Sequence, residues 1–248
     1  MTKVVLITGG SRGIGAATAL LAAAQGYAVA VNYTANSLAA DEVVRSIRAG
    51  GGQAITVQAD VAKEAQVLAM FEKVDAKLGR LHALVNNAGV VDQTTRVDAI
   101  TLERLQRMFE INVFGSFLCA REAVKRMSTR YGGAGGTIVN VSSAAARLGA
   151  PGQYVDYAAA KGAIDSFTIG LSREVAGEGI RVNAVRPGLI STEIHASGGL
   201  PNRATDLAFQ VPMQRPGSAE EVAESIVWLM DEKSSYVTGT LLDVSGGR

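Results

Sequence analysis

The chain has 248 residues, 48% of them hydrophobic and 19% charged, a size and balance that support a large apolar core and exclude an intrinsically disordered polymer. Twenty-four lysines and arginines against 23 acidic residues leave a formal charge of +1, so no bulk positive field draws in nucleic acid or an anionic membrane, and small-molecule work is the expectation. One cysteine, Cys119, and two histidines, His82 and His195, exclude an internal disulfide and a Cys/His metal cluster, so the expectation is no metal and a reducing, cytoplasmic setting.

In chain order, the first residues run straight into a strand pattern, without the apolar stretch and small-residue cleavage site of a secretion signal. Gln25 and Gly26 interrupt the longest apolar run well short of the roughly 18 residues a membrane span needs. Short runs rich in Val and Ile then alternate with longer helical stretches, the pattern of repeated βα units. Strands are predicted at Val4–Thr8, Ala28–Tyr33, Ala54–Gln58, Ala83–Asn86, Thr137–Ser142, Arg181–Arg186 and Gly239–Asp243, with helices between most of them, Ala16–Ala24 and Ala62–Leu78 included. The first strand is apolar at successive positions, as a central strand covered on both faces must be. The glycines at 50–52 and 132–136 read as tight turns between helix and strand, not as linkers. The expected fold is therefore α/β: a single domain built on a doubly wound parallel sheet of seven strands with helices on both faces. The one long irregular stretch, Glu193–Pro212, reads as a lid over a site or else as a disordered segment.

Directly after the first strand stands Thr8-Gly9-Gly10-Ser11-Arg12-Gly13-Ile14-Gly15. A glycine turn between a strand and a helix lets the backbone close on a pyrophosphate, whose charge meets the helix N-terminus, although an ordinary turn can also be glycine-rich. No Gly-Lys-Ser or Gly-Lys-Thr follows, which excludes a P-loop. The spacing from Gly9 to Gly13 to Gly15 is wider than the common dinucleotide fingerprint, and in this it resembles the short-chain dehydrogenase/reductase family, whose fold is of the Rossmann type. The second strand ends Val31-Asn32-Tyr33-Thr34, without the carboxylate that would hold the ribose 2′-hydroxyl of NAD, while Arg12 can set its guanidinium beside a 2′-phosphate. NADP is the expected cofactor, and the neutral strand end also admits NAD. The resemblance implies that Ser11, Ile14, Asn32, Tyr33 and Thr34 join the glycines and Arg12 around the dinucleotide, that Asp60 and Val61 meet its adenine, and that Asn86-Asn87-Ala88-Gly89 steadies the sheet and lines the ribose. Taken by itself, Asp60 reads equally well as the N-cap of the helix at Ala62–Leu78.

Tyr157-Ala158-Ala159-Ala160-Lys161 sets a phenol and an ammonium on one helix face. Lowering a tyrosine pKa by about three units requires roughly 4 kcal/mol of preferential phenolate stabilisation, to which the charge of Lys161 contributes. Upstream, the strand ending Asn140-Val141-Ser142-Ser143 brings a hydroxyl to the carboxyl edge of the sheet, where it can hold a substrate carbonyl oxygen. Asn112 is a polar residue in an apolar helix, read alone as a helix-bending or capping asparagine. The family resemblance implies a proton-relay tetrad of Asn112, Ser143, Tyr157 and Lys161. Relatives commonly space serine and tyrosine by thirteen positions; here Ser143 stands fourteen and Ser142 fifteen before Tyr157, with the extra residue assigned to 148–154. Ser143 is the expected catalytic serine and Ser142 the alternative. The resemblance further implies that Pro187, Gly188, Ile190 and Thr192 meet the nicotinamide and phosphates, together with Tyr157 and Lys161.

The sequence is most similar to glucose 1-dehydrogenase-like and 3-oxoacyl-carrier-protein-reductase-like members of the family. The expected reaction is reversible hydride transfer between nicotinamide and a carbonyl or secondary alcohol, with NADPH-dependent ketone reduction favoured. Sugar 1-dehydrogenation is one alternative and a non-catalytic dinucleotide sensor another; the presence of Tyr157 and Lys161 speaks against the sensor. Lys125, Arg126 and Arg130 could greet an acidic carrier protein, but Glu178 stands where such reductases tend to be basic. His195 in the lid reads either as a solvated histidine or as a substrate contact, and Gln153 and Tyr154 are further candidates for the pocket wall. The resemblance implies a homotetramer assembled through helices near Leu102–Arg130 and Tyr157–Gly177 and the last strand.

Overall fold

The computed structural model describes residues 2–193, 198–200 and 202–248. All seven predicted strands form: β1 (Val4–Ile7), β2 (Ala28–Tyr33), β3 (Ala54–Gln58), β4 (Leu81–Asn86), β5 (Gly136–Val141), β6 (Ile180–Pro187) and β7 (Leu241–Val244). They make one sheet in the order β3-β2-β1-β4-β5-β6-β7, and every neighbouring pair is parallel. The chain winds outward from β1 to β3, then returns to the other side of β1 to begin β4. The connections that leave β1 and β4 at their carboxyl ends therefore diverge and open a crevice, the place where an open α/β sheet binds ligands.

Successive residues of a strand point to opposite faces, and here both faces are covered. Val5 and Ile7 of β1, with Val29 and Val31 of β2, pack against Ala19 and Ala22 of α1 (Gly13–Ala24), Val43 and Ile47 of α2 (Ser37–Ala49) and Ile226 near the end of the chain. Val4 and Leu6, with Ala28 and Ala30, face the other way, toward Val67 and Phe71 of α3 (Glu64–Leu78) and Ala120 and Ala123 of α5 (Gly115–Met127). This double burial is why β1 carries no polar alternation. Helix α7 (Val155–Val175) completes the second layer, after α4 (Leu102–Phe109) and the short α6 (Ala145–Leu148). The last helices are α8 (Arg203–Asp206) and α9 (Ala219–Met230); α9 opens with a full capping box between Ser218 and Glu221.

Three local expectations are corrected. The stretch expected as one helix over Leu102–Arg130 is interrupted at Glu110–Phe114, which forms a wider π-type turn between α4 and α5. Its cause is Asn112, whose side-chain Nδ2 donates to the Met108 carbonyl at 3.0 Å and so competes for the oxygen an α-helix would offer to the backbone at that position. Helix α3 begins at Glu64, not Ala62, because Asp60 closes a turn of its own: its Oδ1 accepts from Ala62 N at 3.0 Å, and its carbonyl accepts from Lys63 N. Asp60 is therefore not the helix N-cap, a position that Lys63 holds. The last strand starts at Leu241 instead of Gly239, since the Asn183 side chain takes the Thr240 N–H that would otherwise serve the ladder. Among the described residues no helix is long and apolar enough to cross a membrane.

Candidate active site

Three polar side chains hold the glycine turn in place. Thr8 Oγ1 accepts from the backbone N–H groups of Asn87 and Ala88, both at 3.0 Å. Asn87 Nδ2 donates back to the carbonyls of Thr8 and Gly9, both at 2.9 Å. Asn32 Oδ1 accepts from Gly9 N at 3.1 Å, while its Nδ2 donates to Val57 and Ala59 carbonyls on the far side. The turn is thus pinned to β2, β3 and β4 at once. Gly15 is a packing requirement: a Cβ there would stand 2.4 Å from the Gly9 carbonyl oxygen and 2.6 Å from Asn87 Nδ2. Arg12 occupies the N-cap position of α1, no side chain caps the helix and its first turn holds no acidic residue. Backbone donors at that end are left for an anion.

A cavity of about 950 Å³ opens at the carboxyl edge of the sheet. Gly9, Ser11, Arg12, Gly13 and Ile14 form one wall, with Tyr33, Thr34, Asp60 and Val61 at one end and Asn87, Ala88 and Gly89 along the floor. Ser143, Tyr157, Lys161, Pro187, Gly188, Ile190 and Thr192 form the opposite wall, beside Gln153 and Tyr154. Gly15, Asn32 and Asn112 do not line the cavity; Asn32 is buried and spends its carboxamide on the glycine turn. Gly188 is pressed onto the end of β7, where a Cβ would lie 2.8 Å from Ser245 Cα. Arg12 Nη1 pairs with Glu193 Oε2 at 3.0 Å across the mouth. His195 lies outside the described residues. The uncapped helix end, the glycine approach and the volume of the cavity fit a dinucleotide.

The two serines part company. Both border the cavity, but Ser142 is buried and shares its one hydroxyl proton between Asp165 Oδ1 at 2.7 Å and the Lys161 carbonyl at 3.2 Å, so its hydroxyl is spent on the fold. Ser143 lines the cavity, and its hydrogen bond to Tyr157 acts to lower the phenol pKa. Lys161 is buried and its Nζ donates to the Val141 carbonyl at 2.8 Å, 5.6 Å from the centroid of the Tyr157 ring. Burial dominates both groups: it pushes the phenol up to about 12 and the ammonium down to about 8, against the opposing pull of Asp165. Asn112 sits behind this wall, with its Oδ1 accepting from Val90 N and its Nδ2 donating to the Val90 carbonyl. A Cβ on Gly89 would come within 2.8 Å of Asn112 Oδ1 and 3.4 Å of Lys161 Nζ, so glycine is what lets asparagine and lysine approach the same strand end. In the stretch with the extra residue, Ala150 takes a left-handed backbone, φ 45°, unusual for a residue with a Cβ.

Several supporting groups lie outside the sequence-based expectations. Asp165, one helical turn after Lys161, receives Ser142 and also Arg186 Nε and Nη2, at 3.0 and 2.8 Å. Asn86 belongs to the motif that the resemblance implies steadies the sheet, but its partners lie outside that expectation: its Nδ2 donates to Asn140 Oδ1, whose Nδ2 donates to Thr168 Oγ1, a buried polar layer that ties β4 and β5 to α7. Arg104 pairs with Asp156 just ahead of Tyr157. The spacing Lys161 to Asp165 is visible in the sequence as an i, i+4 pair, whereas the other partners are remote along the chain. The basic residues considered for a carrier protein are engaged by carboxylates: Lys125 and Arg126 with Glu122, Arg126 also with Asp75, and Arg130 with Glu178 at 4.0 Å.

The family model described as enoyl-(acyl carrier protein) reductase matches residues 9–248. An uncharacterized oxidoreductase of Escherichia coli (strain K12), YgfF, is 58% identical over 245 residues, covering 99% of each chain. The 3-oxoacyl-[acyl-carrier-protein] reductase of Synechocystis is 42% identical over 246 residues, 99% of this chain and 96% of that one. Among solved structures, a mutant of a Serratia marcescens short-chain dehydrogenase/reductase superposes with a TM-score of 0.91 at 32% identity, covering 99% of this chain and 97% of that one.

Proposed function

The chain belongs to the short-chain dehydrogenase/reductase family of oxidoreductases acting on CH–OH or carbonyl groups, and from that premise we propose that it works as a single catalytic domain reducing ketones with NADPH. The observation that carries the reading is the facing of two walls across one cavity: an uncapped helix end behind a glycine turn, and Ser143, Tyr157 and Lys161 opposite. When bound, the nicotinamide supplies or accepts the hydride. Ser143 holds the substrate oxygen and favours negative charge on it. Tyr157 gives that oxygen its proton. A phenol pushed up by burial to about 12 keeps its proton at neutral pH in the absence of cofactor, which suits a donor role in reduction. Lys161 orients the ribose, and its charge, with that of an oxidised cofactor, favours phenolate in the reverse direction. Asn112 stands behind Lys161 as the link toward solvent.

The preference for NADPH rests on Arg12 and on the absence of a carboxylate at Tyr33-Thr34; a neutral strand end leaves NAD usable. Residues 193–212, of which 194–197 and 201 lie outside the described residues, are the proposed lid. Phe114 and Phe117, 55% and 46% exposed, leave an apolar face on the α5 side, which supports assembly into a homotetramer, and the cytoplasm is the proposed location. The test is a fluorescence titration with NADPH and NADH on the native protein and Arg12→Ala, followed by ketone turnover with Tyr157→Phe. Tighter NADPH binding that Arg12→Ala removes, and turnover that Tyr157→Phe abolishes, are expected. Binding of neither dinucleotide overturns the reading.

A further inference from the structure

The cavity is lined by four arginines, and they differ in how they are neutralised. Arg12 is paired with Glu193 at 3.0 Å and Arg107 with Asp92 at 3.6 Å. Arg203, at the start of α8, and Arg248, the last residue of the sequence, also line the cavity. Among the described residues neither has a carboxylate side chain within ion-pair distance, and residues 194–197 and 201 include no Asp or Glu. Their donors are only partly used: Arg203 Nη2 donates to Gln153 Oε1 and Arg248 Nη2 to Gln210 Oε1. Among the described residues Arg203 Nε is buried with no acceptor, and such a donor is costly unless a ligand supplies the missing partner.

The placement of Arg203 ties it to the reacting end of the cavity. Its Cζ lies 5.1 Å above the Tyr154 ring, and Tyr154 stands edge-on to Tyr157 with centroids 6.3 Å apart. The stacking and the Gln153 bond fix the plane of the guanidinium. Its positive charge acts on both the Tyr157 phenol, against the burial that raises it, and Arg248, in addition to the burial that lowers it. Arg248 is anchored in turn, since its main-chain oxygen accepts from Arg147 Nη2 at 2.6 Å and from Ser245 Oγ at 2.8 Å. Two planar, forked cations lining one cavity match a carboxylate. A neutral ketone or a sugar would leave both without a counter-charge.

We propose that the substrates are carbonyl compounds bearing a carboxylate, held by Arg203 and Arg248 while the carbonyl oxygen lies against Ser143 and Tyr157. This rests on the oxidoreductase reading of the same cavity. The test compares 2-oxo-, 3-oxo- and 4-oxopentanoate with their methyl esters, using NADPH, for the native protein, Arg203→Gln and Arg203→Gln/Arg248→Gln. For at least one spacing the acid is expected to exceed its ester by about 10- to 100-fold in kcat/KM, the range of a hydrogen bond to a charged group. The ratio is expected to collapse toward one in the double variant, mainly through KM. Equal use of acids and esters overturns the proposal, as does a ratio that survives both substitutions. Weaker NADPH binding by Arg203→Gln overturns it too, because the arginine then serves the cofactor. Should no ketone be reduced although NADPH binds, the reductase reading fails separately, and calorimetric binding of pentanoate against pentanamide to the NADPH complex decides: tighter pentanoate, lost in the double variant, upholds the arginine site, and equal binding sinks it.

Discussion

Arg104 holds Asp156 in a two-pronged ion pair, Nε to Oδ2 at 2.7 Å and Nη2 to Oδ1 at 3.2 Å, immediately before Tyr157 in the chain. The carboxylate side chain is 0% exposed and the guanidinium 12%, and Arg104 Nη1 also donates to the Gln93 carbonyl. The pair thus clamps the first turn of α7 to α4 and to the loop beyond Gly89. Removing one partner leaves a buried charge alone, at a cost of about 3–5 kcal/mol. Arg104→Met should therefore lose about that much in urea unfolding and lower kcat through a displaced phenol, whereas Arg104→Met/Asp156→Leu should recover most of the stability. A single variant as stable as the parent would show that the clamp carries no weight.

Glu193 competes for the group expected to select the cofactor. It pairs with Arg12 where both side chains are more than half exposed, and an exposed pair contributes only about 0–1 kcal/mol. A 2′-phosphate can displace it, but at some loss. Glu193→Gln should tighten NADPH by up to about fivefold at low salt, with less gain as ionic strength rises and no gain for NADH. Parallel dinucleotide titrations check this; an equal gain for both would mean that Glu193 repels the pyrophosphate instead of guarding Arg12.

Much of this is legible in the sequence because periodicity and short-range motifs carry it. The unbroken apolar run Val4–Ile7 announces a strand covered on both faces, and it is fully buried. The glycine spacing and the pair Tyr157/Lys161 mark both walls of the cavity from the sequence alone. What stays hidden depends on partners distant in sequence. Nothing local says that Arg104 meets Asp156, 52 positions on, or that Arg203 and Arg248 reach the cavity that holds Tyr157. Asn112 is visible as a polar residue in an apolar helix, but its bond to the Met108 carbonyl, which turns one long helix into two, is a three-dimensional fact. Asn32 reads as a cofactor contact from its place at a strand end; its carboxamide faces the glycine turn from behind.

Phe117 of α5 stacks on Phe167 of α7 with centroids 3.7 Å apart and remains 46% exposed, beside the still more exposed Phe114. A pair of aromatic rings shared by two helices and open to water is the kind of surface that self-association covers. Phe117→Glu should shift sedimentation from a tetramer toward smaller species. Because the residue belongs neither to the core nor to the cavity wall, far-ultraviolet circular dichroism should stay that of the parent. A tetramer that persists would move the interface elsewhere.

Lys161 and Tyr157 should leave opposite marks on the pH dependence of stability. Burial lowers the ammonium from 10.5 to about 8, so between those values the unfolded chain binds more protons than the folded one, and stability rises with pH across that window. Below pH 8 the folded state carries the full cost of a buried charge, about 3 kcal/mol at 4% exposure. Lys161→Met should accordingly be inactive yet more stable than the parent at pH 7 by up to that amount, less the lost bond to the Val141 carbonyl. Its advantage should shrink as pH climbs from 8 toward 10.5. The phenol, raised from 10 to about 12, behaves in the other sense: above pH 10 the unfolded tyrosine ionises first, so stability falls with further rise in pH, and Tyr157→Phe should escape that fall. Urea unfolding at pH 7, 8.5, 9.5 and 10.5 on the three proteins separates the two effects. A Lys161→Met protein no more stable than the parent at pH 7, or an advantage that does not narrow with pH, would mean that the ammonium is solvated and that a low pKa is not what poises it beside the phenol.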